Sequence, residues 1–173
     1  MYTVPKHDQV HELEDVPFPD PGASAPLLLA GQASLVVAYR SATSSTGRAQ
    51  GAEPLLATTS LVLFRDCFAV HFGLPNDHAF ASHPQAGQTL PPCGAFEVVN
   101  SSWIRELEMR NRGHPRHDPL LFQQLRHWVW TFRDSVLECA ALSWSTEDFG
   151  PPGDRLARMH ALLLSDSERG VER

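Results

Sequence analysis

Apolar residues along the chain fall into two kinds of run. In several short stretches they alternate with polar residues, and in others they recur every three or four positions. Alternation sends successive side chains to opposite faces of a strand, whereas the longer period collects them on one face of a helix. The alternating stretches predict strands at Ala33–Arg40, Leu55–Phe64, Cys67–Phe72 and Ala95–Val99, and a hairpin built from His127–Arg133 and Val136–Trp144. Val, Phe, Tyr and Trp are common in them, and such residues suit a pleated, half-buried surface. Arg65-Asp66 predicts a tight turn between the second and third strands, and Asp134-Ser135 the turn of the last hairpin.

Helical spacing occurs three times. Asn100 or Ser101 offers a side-chain oxygen to cap a helix that runs to about Asn111, with Trp103, Ile104 and Leu107 on one face. Gly113 and Pro115 end it. Asp118-Pro119 starts a second, shorter helix, whose apolar residues are Leu121, Phe122 and Leu125. Asp154 to Leu164 predicts a last helix with Leu156, Met159 and Leu163 on a shared face.

Residues 1–26 contain Pro5, Pro17, Pro19, Pro21 and Pro26, which argue against a regular element and for an extended acidic arm lying on the domain or partly disordered. Residues 41–54 have loop composition. Residues 27–165 read as a single domain and 166–173 as a frayed tail. The stretch Gly73–Gly94, with four prolines, is long for a connection and predicts a binding loop or lid. The expected fold class is α+β. An antiparallel sheet of about five or six strands has two short helices inserted before its last hairpin and a C-terminal helix. Trp103, Ile104, Leu107, Leu121, Phe122 and Leu125 are expected to pack on the aromatic face of that sheet.

Composition sharpens this picture in a few places. The chain has 173 residues and 42% hydrophobic content, enough for one domain with a sizeable core. Its net charge of -6 disfavours broad binding to duplex DNA, where phosphate neutralisation supplies most of the affinity. Residues 1–20 hold one lysine and five acids, net −4, while residues 101–133 hold six arginines and three acids, net +3. One of the fourteen basic residues is a lysine, the bias of a high-GC, bacterial-like coding sequence. The cysteines, Cys67, Cys93 and Cys139, are odd in number and lack C-x-x-C spacing, which predicts a reducing cytoplasm rather than a disulfide framework. The first residues have no apolar core of a signal peptide, and no apolar run approaches a membrane span. Fingerprints of dinucleotide enzymes, P-loop NTPases, α/β-hydrolases and zincin proteases are all missing from the sequence.

Candidate chemistry comes from strand phase. In Cys67–Phe72, Phe68, Val70 and Phe72 oppose His71; in Ala95–Val99, Phe96 and Val98 oppose Glu97. In the hairpin, Trp128, Trp130, Phe132, Leu137 and Cys139 oppose His127, Thr131, Arg133 and Glu138. Strands in one sheet and one phase would gather the second set on a single surface. A solvated face is the plainest outcome, because antiparallel sheets commonly bury one side and wet the other.

The sharper expectation is a small-molecule enzyme with its site on that surface. Two histidines and a carboxylate are the ligand types of a mononuclear divalent metal such as iron, here His71 and His127 with Glu97, or else Glu138, as the carboxylate. A metal-free version makes Glu97 or Glu138 the general base and His71 or His127 the acid. Arg133 would hold an anionic substrate, with Thr131 and, from the long loop, His83 as further contacts. The alternative is a non-catalytic interaction module that meets its partner through the arginines between Arg105 and Arg116 or through the arm. A third reading, a single-strand nucleic-acid binder stacking bases on Trp128, Trp130 and Trp144, ranks last, since tryptophans at strand spacing suit a core better.

Overall fold

In the computed structural model, residues 8–23, 26–41, 58–86, 90–149 and 154–171 are described. Residues 42–57, which include the expected loop at 41–54 except Ser41, itself in a strand, and the start of the second expected strand, Leu55–Ala57, lie outside the described residues, as do 1–7 and Pro151-Pro152.

The chain is α+β, and its described residues form nine strands in two antiparallel sheets and three α-helices. The strands are β1 (Gln9–Glu12), β2 (Leu27–Ala30), β3 (Ser34–Ser41), β4 (Thr58–Arg65), β5 (Ala69–Gly73), β6 (Gly94–Val99), β7 (Arg126–Thr131), β8 (Val136–Ala141) and β9 (Ser143–Asp148). The helices are α1 (Ser102–Asn111), α2 (Pro119–Gln124) and α3 (Arg155–Val171). One sheet has the order β1-β6-β7-β8-β5 and the other β2-β3-β4-β9. Among the described residues no helix is long and apolar enough to cross a membrane.

The single expected sheet is therefore two, and the division happens at two corners. Asp66 sits at φ 51, a left-handed conformation that Asp tolerates better than most residues. There the chain leaves the four-stranded sheet at β4 and enters the five-stranded one at β5, so Arg65-Asp66 is a crossing between layers and not a hairpin turn. The expected strand Val136–Trp144 breaks in the same way at Leu142, into β8 and β9 in different sheets. The two corners are tied together, because Leu142 N–H donates to the Arg65 carbonyl at 3.1 Å.

The aromatic face predicted for the hairpin turns toward the second sheet, not toward helices. Trp128, Trp130, Phe132, Leu137 and Cys139 meet Leu35, Val37, Tyr39, Val62 and Phe64 in the largest core cluster. Phe64 and Trp130 touch edge to face at 5.0 Å, a geometry that suits the ring quadrupoles. Trp128 and Trp130 are buried there, and Trp144 packs against both, so these rings are not presented to bases. The far face of the four-stranded sheet is covered by α3 through Met159 and Leu163. Leu156, expected beside them, is 61% exposed. Arg65 and Ser34 both engage Asp166, which fastens α3 beyond the expected domain limit at 165.

The arm does more than lie alongside. Gln9–Glu12 pairs antiparallel with β6 despite the neighbouring prolines, and covers that edge of the five-stranded sheet. Sheet edges with open amides are liabilities, and four residues suffice to close this one.

Candidate functional site

Register decides which side chains share a face. Within β7 and β8 the expected phase is present: His127, Val129 and Thr131 lie on the face away from the core, with Val136, Glu138 and Ala140 across the β7–β8 pair. His71 is the direct partner of Glu138 and joins them. Glu97 does not. It pairs with Trp128, while Phe96 and Val98 pair with Val129 and His127. Glu97 thus sits on the opposite side of the sheet from His127, near its margin, where Arg126 reaches it at 3.2 Å. A strand's own alternation cannot set its phase against a neighbour; a one-residue difference in pairing moves every side chain to the other face.

This outer face is not a wet surface. The arm, the connection between β5 and β6, and α1 bury it, so that Phe96, Val98, Val129 and Val136 form an apolar cluster with Leu90. His127, Thr131 and Glu138 are buried beside them. Burial on this scale requires polar atoms to be satisfied locally.

Glu138 is the convergence point. His127 Nε2 stands 2.9 Å from its Oε2, and His71 Nδ1 and His83 Nε2 each stand 3.5 Å from its Oε1. The other ring nitrogens define how the imidazoles face it. Gln85 N–H donates to His83 Nδ1 at 3.1 Å, so the neutral ring carries its proton on Nε2, toward Glu138. Ile104 N–H donates to Ser101 Oγ, which caps α1, and that hydroxyl lies 2.9 Å from His127 Nδ1. A carboxylate can only accept, so His127 donates to it from Nε2, and in the neutral ring Nδ1 then accepts from the Ser101 hydroxyl. His127 thus hydrogen-bonds one oxygen of the Glu138 carboxylate, and His83 Nε2 lies 3.5 Å from the other. Trp103, in the first turn of α1, packs on the His127 ring at a centroid distance of 4.8 Å.

A cavity of about 340 Å³ opens against this group. Its walls include His71, His83, Glu138, Trp103, Leu107 and Arg110. The volume falls in the range of small-molecule sites, and the lining has their character, apolar sides with a few convergent polar groups. His71 is 59% exposed and stands at the opening, while His83 and Glu138 are buried at the back.

Two other expected site residues serve elsewhere. Thr131 is fully buried and donates to the Pro91 carbonyl at 3.0 Å, anchoring the end of the long connection. Arg133 is exposed at the hairpin turn, beside Asp20, Tyr39 and Asp134 and away from the cavity. The last residues of a hairpin twist out of the sheet, so alternation gives no hold on them.

Sequence reasoning missed Asp8. Its carboxylate has 1% exposure and accepts from Ser102 N–H, Ser102 Oγ, Gln85 Nε2 and Arg105 Nη2, at 2.7 to 3.1 Å. Negative charge at the start of a helix also opposes the helix dipole favourably. Asp8 thereby ties the segment carrying His83 to the helix carrying Trp103. No local signal distinguishes it from the four solvated acids that follow it in the arm.

The metal set expected from sequence comes together only with its alternative carboxylate: His71, His127 and Glu138 meet, and Glu97 does not join them. Glu97 is on the wrong face, and both His127 nitrogens are engaged by Ser101 and Glu138. His83 cannot ligate through Nε2 while its Nδ1 accepts a backbone N–H, because the neutral ring then has no lone pair there. Among the described residues, no group of three or more His, Cys, Asp or Glu side chains is arranged to hold a metal ion. In the arginine-rich segment, Arg105, Arg110 and Arg112 face Asp8, Glu106 and Glu108 respectively.

Compared with known proteins, the chain matches no family model, no curated protein and no solved structure.

Proposed function

We propose that the protein is an enzyme that moves a proton on a small molecule held in the cavity beside Glu138, with Glu138 as general base. The observation that carries this reading is a buried carboxylate, hydrogen-bonded by His127 with His83 and His71 close by, on the wall of a cavity large enough for a small ligand. A base held in one pose meets the geometric demand of proton transfer before any question of its acidity. His71, at the mouth and 3.5 Å from the same carboxylate, is placed to pass the proton to solvent. Trp103 and Leu107 would grip the apolar body of the substrate, and Arg110, paired with Glu106 at the rim, is the nearest cation for an anionic group. The odd cysteine count supports a reducing, cytoplasmic setting for this activity.

The test works before any substrate has been identified. Small metabolites that bind, found by ligand-observed NMR, are incubated with the protein in deuterated water. The reading expects deuterium to enter a carbon position of a bound compound with the wild type and about 10²-fold or more slowly with Glu138→Gln. Equal exchange rates in the two proteins would remove it.

A further inference from the structure

A second reactive pair lies on the core side of the same sheet. Cys67, at the crossing from β4 to β5, and Cys139, in the middle of β8, bring their sulfurs within 3.1 Å of each other. A disulfide bond is about 2.0 Å long, so closure asks for a movement of about 1 Å. Cys67 is half-buried on the wall of a shallow surface cavity shared with Gly31, Ser34, Phe68 and Val70. Cys139 is fully buried beneath it. One sulfur can be reached from outside, and the other stands directly behind it.

The contact also makes the two thiols unequal. The contact with Cys139, in which either sulfur can be the donor, lowers the Cys67 thiol against an opposing push from burial. The same contact, with burial second, raises Cys139 far above its ordinary range. Negative charge thus settles on the accessible sulfur, and the thiolate is the nucleophile.

We propose that Cys67 and Cys139 form an oxidisable dithiol site for hydroperoxides, with Cys67 attacking and Cys139 resolving. The Cys67 thiolate attacks one oxygen of hydrogen peroxide; an S–O bond forms, the O–O bond breaks, and hydroxide leaves to become water. Cys67 is then a sulfenic acid. The Cys139 sulfur attacks the Cys67 sulfur; the S–S bond forms, the S–O bond breaks, and the leaving hydroxide takes the Cys139 proton as a second water. Two thiols have lost two electrons, and one peroxide has become two waters.

The new bond would staple a crossing between layers. Cys67 N–H donates to the Ala33 carbonyl beside the four-stranded sheet, and Phe68 N–H donates to Ala140 in the five-stranded one. The bond would add a covalent tie from this point to the centre of β8.

Full-length Cys93→Ser protein, which retains only this pair, is treated with equimolar hydrogen peroxide and read by intact mass, thiol titration and peptide mapping. The expected result is loss of both thiols and a mass lower by two hydrogens. A peptide should join Cys67 to Cys139, and the melting temperature should rise by about 5–15 °C, all reversed by dithiothreitol. Oxygen added to Cys67 with Cys139 still a thiol, bonds between chains, or two persisting thiols would overturn the proposal. If Cys93→Ser does not fold, wild-type protein mapped in the same way decides between the outcomes, with a Cys67–Cys139 peptide supporting the proposal and its absence overturning it.

Discussion

His127 and Glu138 meet diagonally across the β7–β8 pair, Nε2 to Oε2 at 2.9 Å, two positions from direct register. Diagonal neighbours on one face of a sheet are within reach of long side chains, and here the reach is used to aim a buried carboxylate. Because His127 is fully buried and Glu138 nearly so, each partner depends on the other for satisfaction.

Glu138→Gln keeps the volume and changes the hydrogen bonding. An amide oxygen can accept from one imidazole, but the amide NH₂ then faces the other N–H. Urea unfolding should show a loss of about 1–3 kcal/mol, the cost of leaving one buried donor unsatisfied. Glu97→Gln, on the other face and at the sheet margin, should leave ligand binding in the cavity unchanged when both are measured by calorimetry.

The two flanking histidines should separate in their effects. His127→Ala empties a buried site and strands both Ser101 and Glu138, so equilibrium unfolding should register a loss of about 2–4 kcal/mol. His71→Ala removes an exposed ring and should change stability by no more than about 0.5 kcal/mol. Any effect of His71→Ala on deuterium exchange would then be read as an effect on proton passage.

Asp8→Ala should loosen the site from behind. Four donors lose their acceptor, and the predicted cost is about 2–4 kcal/mol. Hydrogen exchange should show lowered protection at Gln85 and Ser102, with the protection of β3 and β4 retained once the global loss is subtracted.

Far from the cavity, α3 carries a pH signature. Arg158 grips Glu147 of β9 with two hydrogen bonds, one of them 2.6 Å, and holds the Glu147 carboxyl below its ordinary range. A carboxyl depressed by folding contributes stability above its unfolded pKa and loses it as pH falls through the folded value. The stability difference between wild type and Glu147→Gln should therefore be greatest near neutral pH and shrink below pH ~4. Both side chains are partly exposed, so the difference should also fall with added salt.

Much of the site was legible because alternation is a local property. It sorts His127 and Thr131 from Trp128 and Trp130, and Glu138 from Leu137 and Cys139, and the structure keeps that sorting. Phase between strands is a tertiary property, and Glu97 shows the consequence: its own strand is correct, and its face is set by partners nothing in β6 specifies. The same limit hid the second sheet. Leu142 and Asp66 look like ordinary strand and turn residues, yet both mark the change of layer. Asp8 was illegible for a different reason, because its partners Gln85 and Ser102 lie 77 and 94 positions away.

The tautomers of His83 and His127 test the account most directly, since they can be read from long-range ¹⁵N–¹H correlations of the imidazoles without any substrate. Both rings should carry a proton on Nε2. A ring protonated on Nδ1 alone would turn a bare Nε2 lone pair toward Glu138, which would then not be held as a proton acceptor, and the proposed base would lose its foundation.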